Sequence, residues 1–205
     1  MNWQPVPGHI MTRWAKDVTP ENAWREYPRP QLTRNEWLNL NGLWKYGIAP
    51  IEQDYCDVVD GEILVPFPIE SALSGVKSPL GAGERLFYRK TFSIPGAWAG
   101  KRVLLHFGGV DWEATVWVNG QWLGIHQGGY LPFQFDITDV IRNSENELVG
   151  AVWDPTDTHW QQRGKQARKP KTIWYTAVSG IWQTVWMEPV PQTYITGIKI
   201  TPDLD

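Results

Sequence analysis

The 205-residue sequence predicts an all-β, antiparallel sandwich or barrel. Three observations carry this expectation: short apolar runs alternate with a period of two, Gly, Pro and Asn-Gly turn signals separate them, and helical periodicity is nearly absent. Roughly eight to nine strands follow from the pattern.

Taken in order, residues 1–39 read as an arm. Pro5, Pro7, Pro20, Pro28 and Pro30 deny it regular helix or central strand, so it is expected to run extended around a domain. A short helical turn is predicted over 33–38, with Thr33 as its cap and Glu36 three residues on. Leu40–Tyr46 is the first predicted strand, and Glu62–Val65, halted by Pro66 and Pro68, is a short edge strand. The Gly- and Ala-rich stretch 71–85 reads as a long loop. Beyond it Leu86, Tyr88, Lys90 and Phe92 alternate with Phe87, Arg89 and Thr91 until Pro95-Gly96 ends the run. Val103, Leu105 and Phe107 share one face of the next strand. Glu113–Val118 and Gln121–Gly124 flank Asn119-Gly120, a dipeptide that tolerates positive φ at both positions of a two-residue hairpin. Phe133, Phe135 and Ile137 alternate again, and Glu147–Trp153 and Trp182–Met187 complete the set. After Pro189-Val190-Pro191, the alternating run Tyr194–Ile200 reads as the start of a second domain.

Composition narrows the function classes. Hydrophobic residues make up 42% and charged residues 20%, the balance of an ordinary folded protein. A net charge of -3 and a pI near 5.8 give no global attraction to nucleic acid or anionic lipid, so neither is an expected partner. No apolar run is long enough to span a membrane, and the start Met1-Asn2-Trp3-Gln4-Pro5 lacks the regions of a signal peptide, which leaves the compartment open. Cys56, as the single cysteine, excludes an intramolecular disulfide and any multi-cysteine metal site. His9, His106, His126 and His159 are dispersed without metal-ligand spacing, so no metal and no cofactor is expected. The 14 Trp are the unusual count: indole serves both as core filler and as a platform for the C–H faces of sugars, and composition does not choose between them.

Candidate chemistry gathers after the strand ending at Trp153. Asp154 and Asp157 sit in Trp153-Asp154-Pro155-Thr156-Asp157, where turn formation and a functional role both fit. Two Asp three residues apart in one loop do not by themselves flank a glycosidic bond as acid and nucleophile. Between Trp160 and Trp174 run Arg163, Lys165, Arg168, Lys169 and Lys171, a cationic cluster suited to solvent, to an anion or to a neighbouring domain. Ser179-Gly180-Ile181 lacks the nucleophile elbow of serine hydrolases.

The segments Leu86–Phe92, Val110–Gly120, Leu123–Tyr130 with Phe135–Thr138, and Ser179–Val185 together resemble the amino-terminal sugar-binding domain of family 2 glycoside hydrolases, the group of β-galactosidase, β-glucuronidase and β-mannosidase. Tyr27–Gln31 and Leu40–Trp44 fit the same family's entry into this domain. The resemblance implies a jelly-roll β-sandwich of the galactose-binding type over 40–188, with 189–205 as linker and first strand of an immunoglobulin-like domain. It further implies that a TIM barrel holding both catalytic glutamates lies outside this chain, so no catalytic residue is expected within it. Glu36 and Glu147 are expected to be helix-surface and strand-edge charges. By the same resemblance Asp154 matches an acidic residue that reaches over to the barrel's sugar pocket, although Pro155 follows it where some relatives have glycine. Asp154, Asp157, Trp160 and Trp174 are therefore the candidate saccharide-binding residues, with carbohydrate and the parent's other domains as partners. Two alternatives stand beside this: a self-sufficient carbohydrate-binding module using Trp122 or Trp160, and a structural sandwich that mediates contact between copies of the chain.

Overall fold

A computed structural model of the chain describes residues 3–7, 11–55, 57 and 59–203. His9 and Cys56 lie outside the described residues. Within them the strands are β1 (Leu38–Asn39), β2 (Gly42–Pro50), β3 (Gly61–Val65), β4 (Glu84–Phe92), β5 (Arg102–Phe107), β6 (Val110–Asp111), β7 (Glu113–Val118), β8 (Gln121–Gln127), β9 (Phe133–Asp136), β10 (Asn146–Trp153), β11 (Gly180–Ile181) and β12 (Val185–Val190). A six-stranded sheet runs β3-β2-β4-β10-β7-β8, a four-stranded sheet β1-β12-β5-β9, and β11 pairs with β6. Every one of these ladders is antiparallel.

The two larger sheets enclose one core, and the period-two alternation decides which residues enter it. Leu86 and Tyr88 of β4 and Leu148 and Val152 of β10 point inward with Val103, Leu105 and Phe107 of β5 and Val185 and Met187 of β12. Phe87 and Ala151, one residue out of phase, join Ala49 and Trp117 in a thin cluster on the other side of the larger sheet. The sequence-predicted hairpin forms between β7 and β8, with Asn119 at φ 52° and Gly120 at φ 78°.

On the outer face of the four-stranded sheet, polar residues are buried beneath Tyr27, Arg29 and Arg34, which contact them. Glu188 is fully buried; it accepts from the Tyr27 hydroxyl at 2.6 Å, from Arg29 Nη2 at 2.5 Å and from Arg34 Nε at 3.1 Å. His106 Nε2 lies 3.2 Å from Glu188 Oε1 without hydrogen-bond geometry. Burial holds its pKa below the usual value, and the ring stacks on Trp186 at 4.6 Å.

Some local expectations fail for identifiable reasons. The predicted helical turn over 33–38 is absent; a single 3-10 turn spans Pro30–Leu32, and the Thr33 hydroxyl donates to the Pro30 carbonyl, closing that turn instead of capping a helix. The 71–85 loop contains a 3-10 turn at Ala72–Ser74, with Ser71 Oγ accepting from the Ser74 N–H. The additional strands β1, β6 and β11 have two residues each, too few to show a period. Residues 194–200 form no strand, and Ile195, Ile198 and Ile200 are exposed: alternation supplies one side of a ladder, and no described edge supplies the other.

Candidate functional site

At one end of the sandwich, β10, β6, β11 and the segment after β3 converge beneath the long loop 154–179. Their side chains form a buried polar network that holds this loop. Asp154, 2% exposed, accepts from the Thr156 backbone N–H through Oδ1 at 2.7 Å and from the Ser179 hydroxyl through Oδ2 at 2.7 Å. The first contact is an Asx turn, the local chemistry that an Asp-Pro-Thr sequence favours. Ser179 also donates its backbone N–H to Glu70 Oε2 at 2.9 Å. Midway along the loop, Gln166 donates to Asp111 Oδ2 at 2.8 Å and accepts from the Val178 N–H at 2.7 Å. Backbone bonds from Tyr175 N to the Lys165 carbonyl and from Ala167 N to the Tyr175 carbonyl, both 2.9 Å, fold the loop back on itself there.

Electrostatically this floor is acidic. Burial pushes the Glu70 carboxyl up to about 7 against the lowering effect of its Ser179 bonds, and burial pushes Asp111 up to about 7 against its bond from Gln166. Asp154 is raised by burial as well, partly offset by Ser179, Thr156 and the nearby Arg168. The three carboxyls also disfavour one another's ionisation: Asp154 raises both Glu70 and Asp111, and Glu70 raises Asp111. Among the described residues, no three His, Cys, Asp or Glu side chains are arranged to hold a metal ion.

Above this floor the loop presents aromatic and charged groups to solvent. Trp160 is 86% exposed, yet its ring is braced edge-on against buried Trp112 at 6.0 Å, which in turn meets Trp153 edge-on at 6.1 Å. Asp157 is half-buried and accepts from the Arg168 backbone N–H at 3.2 Å. Trp174, 38% exposed, has the Arg163 guanidinium over its ring at 5.2 Å. Together with Ala167, Lys169 and Lys171, these two line a hollow of about 290 Å³.

The four sequence-predicted site residues thus share one loop but divide by depth. Asp157, Trp160 and Trp174 face outward, whereas Asp154 lies in the floor with both oxygens engaged. Sequence reasoning missed Glu70, Asp111, Gln166 and Ser179. The available signal was a polar residue inside an apolar run, as in Val110-Asp111-Trp112, but the partners stand up to 109 residues apart.

Comparison with known proteins agrees with this architecture. The family model for glycosyl hydrolases family 2, sugar binding domain, matches residues 52–191. The β-galactosidase of Thermoanaerobacter pseudethanolicus is 34% identical over 117 residues, covering 57% of this chain and 15% of that enzyme. The β-glucuronidase of Paenibacillus borealis is 31% identical over 133 residues, 62% of this chain and 22% of that enzyme. Among solved structures, a Faecalibacterium prausnitzii β-glucuronidase superposes with a TM-score of 0.62 at 22% identity, over 82% of this chain and 33% of that one. A β-glucuronidase from an uncultured Clostridium species gives 0.59 at 24% identity, over 78% and 30%. The chain therefore spans less than a quarter of the length of these two curated relatives, and the structural likenesses show a shared β-sandwich fold. Since the family model accounts for more than half of the chain, and the described strands form the sandwich those structures share, this protein belongs to the sugar-binding domain family of the family 2 glycosyl hydrolases.

Proposed function

We propose that the chain acts as the non-catalytic, N-terminal carbohydrate-binding domain of a β-galactosidase- or β-glucuronidase-like glycoside hydrolase, and that the loop 154–179 is its saccharide-facing surface. In this reading residues 1–39 are an arm, 40–188 the sugar-binding jelly roll, and 189–205 lead into an immunoglobulin-like domain. Beyond that, a TIM barrel supplies the two carboxylates that glycoside hydrolysis requires. The observation that carries the reading is Trp160: a ring left 86% open to solvent while Trp112 fixes its orientation is an indole face held ready for a sugar ring. Asp157 lies three residues away, and a carboxylate accepts hydrogen bonds from neighbouring sugar hydroxyls. Asp154 keeps its place in the site as the carboxylate that sets the loop's position through Thr156 and Ser179.

The test is calorimetric titration of the 205-residue chain with galactosides, glucuronides and mannosides. Binding that Trp160→Ala and Asp157→Ala weaken about tenfold, each roughly the loss of one stacking or charge-assisted contact, supports the reading. Chromogenic β-galactosides and β-glucuronides should show no turnover with this chain. Absence of saccharide binding, or turnover lost on substituting Asp154 or Asp157, would overturn it.

A further inference from the structure

The cations of the loop remain unexplained by saccharide stacking alone. Five of the chain's 19 Lys and Arg residues, Arg163, Lys165, Arg168, Lys169 and Lys171, fall within nine positions that contain no acid, in a protein whose net charge is -3. Among the described residues none of the five forms an ion pair with a side chain. The nearest acid in sequence, Asp157, is engaged by the Arg168 backbone N–H, and the Arg168 guanidinium donates to the Leu80 carbonyl at 3.2 Å. Cations gathered without side-chain ion pairs repel one another and raise the local positive potential, which an anionic ligand relieves.

Three of the five chain positions that line the 290 Å³ hollow are cationic, Arg163, Lys169 and Lys171, and a fourth is Trp174. That volume stands at the lower bound of ligand-sized clefts. Arg163 lies over the Trp174 ring at 5.2 Å, and a guanidinium stacked on an indole keeps the donors around its edge for an oxyanion. The two lysines add mobile point charges on the same rim. An aromatic wall with three cations matches a sugar that carries an anionic substituent: the wall takes the C–H face, and the cations take the charge.

We infer that the hollow lined by Arg163, Lys169, Lys171 and Trp174 is an anion-reading subsite that selects saccharides bearing a carboxylate or sulfate group. This rests on the reading of the loop as saccharide-facing and adds to it the charge of the ligand and the residues that read it.

Calorimetry with matched probes tests the inference on the 205-residue chain: trigalacturonate as the carboxylated probe, galactose 6-sulfate as the sulfated one, galactotriose and galactose as their neutral counterparts, and sodium sulfate and an oligothymidylate as anions without the sugar. The expected result is that each acidic saccharide binds about tenfold more tightly than its neutral counterpart at low ionic strength, an advantage that shrinks as salt is added. The exposed pair Lys169→Gln/Lys171→Gln should remove most of that advantage, weakening binding of the acidic probes by a larger factor than binding of galactotriose. Preference for only one acidic probe identifies which substituent the hollow reads and supports the inference. Equal affinity for charged and neutral probes, or an unaffected double variant, would overturn it while leaving the saccharide-facing loop intact. Sodium sulfate or the oligothymidylate binding as well as the acidic saccharides would overturn it too. If no saccharide of either charge binds, the underlying reading of the loop falls with it.

Discussion

Asp154 and Glu188 are both buried carboxyls, and they differ in what surrounds them. Glu188 faces the His106 ring, the Tyr27 hydroxyl and two guanidinium groups; His106 first, then Tyr27 and Arg29, outweigh its burial and hold its pKa at about 2. Asp154 has only neutral donors in direct contact, so burial dominates and its pKa rises. The two should respond differently to truncation. Asp154→Ala leaves the Thr156 N–H and Ser179 hydroxyl without their acceptor and should cost about 1–3 kcal/mol. Glu188→Ala leaves Arg29 and Arg34 facing each other across an empty site and should cost about 3–5 kcal/mol. Urea unfolding of the two variants beside the parent chain measures both, and a Glu188→Ala cost equal to that of a surface substitution would refute the role given to its contacts with Tyr27, Arg29 and Arg34.

At the scale of elements, the β7–β8 hairpin shows how much one turn residue does. Asn119 occupies the left-handed region at φ 52° and uses its side chain three times: Nδ2 donates to the Val140 carbonyl at 2.7 Å and to Asn146 Oδ1 at 2.8 Å, and Oδ1 accepts from the Glu147 N–H at 3.0 Å. Asn119→Ala therefore loses both the conformational preference and the link to β10, and should destabilise by about 2–3 kcal/mol. Asn119→Gly restores the backbone freedom alone, so its cost should be smaller by about 1 kcal/mol; thermal unfolding of the pair separates the two contributions. Elements of this kind were legible in the sequence because their determinants are local. Asn-Gly announces a turn, and the phase difference between Leu86 and Phe87 assigns each to its side of the sheet. Tyr194–Ile200 carries the same alternation without a described partner strand, and a period cannot report whether a partner exists. The outward-facing part of the site was legible for a similar reason, since a loop rich in Lys and Arg announces exposure. Apart from Asp154, its floor was not: Glu70, Asp111 and Ser179 join Asp154 only once distant strands are paired.

For the whole molecule, the carboxyls pull the pH dependence of stability in opposite directions. Glu70 and Asp111 have folded values of about 7, above their ordinary values, so the folded state retains protons that the unfolded chain has released. Their contribution is complete below about pH 4 and is lost as pH rises through 7. Glu188 behaves inversely; its folded value of about 2 means a contribution present above about pH 4.5 and lost as pH falls towards 2. The melting temperature should therefore peak between about pH 4 and 5 and decline on both sides. Glu70→Gln should make the alkaline decline shallower without removing it, since Asp111 keeps its share, and should leave the acid side unchanged; a melting profile that keeps rising from pH 5 to 8 in the parent chain would contradict the raised values.

Arg34 has a second contact besides Glu188: its Nη2 donates to the Ile195 carbonyl at 2.9 Å. One guanidinium thus ties together the segment entering the sandwich, the β12 strand and the segment leaving it. Tension applied along the outgoing segment meets this knot before it reaches the β12 ladder, so the load falls on Arg34 in shear while the sheet is still closed. Single-molecule pulling from residue 203 should then show a first yield that Arg34→Ala removes, ahead of the rupture of the sandwich itself.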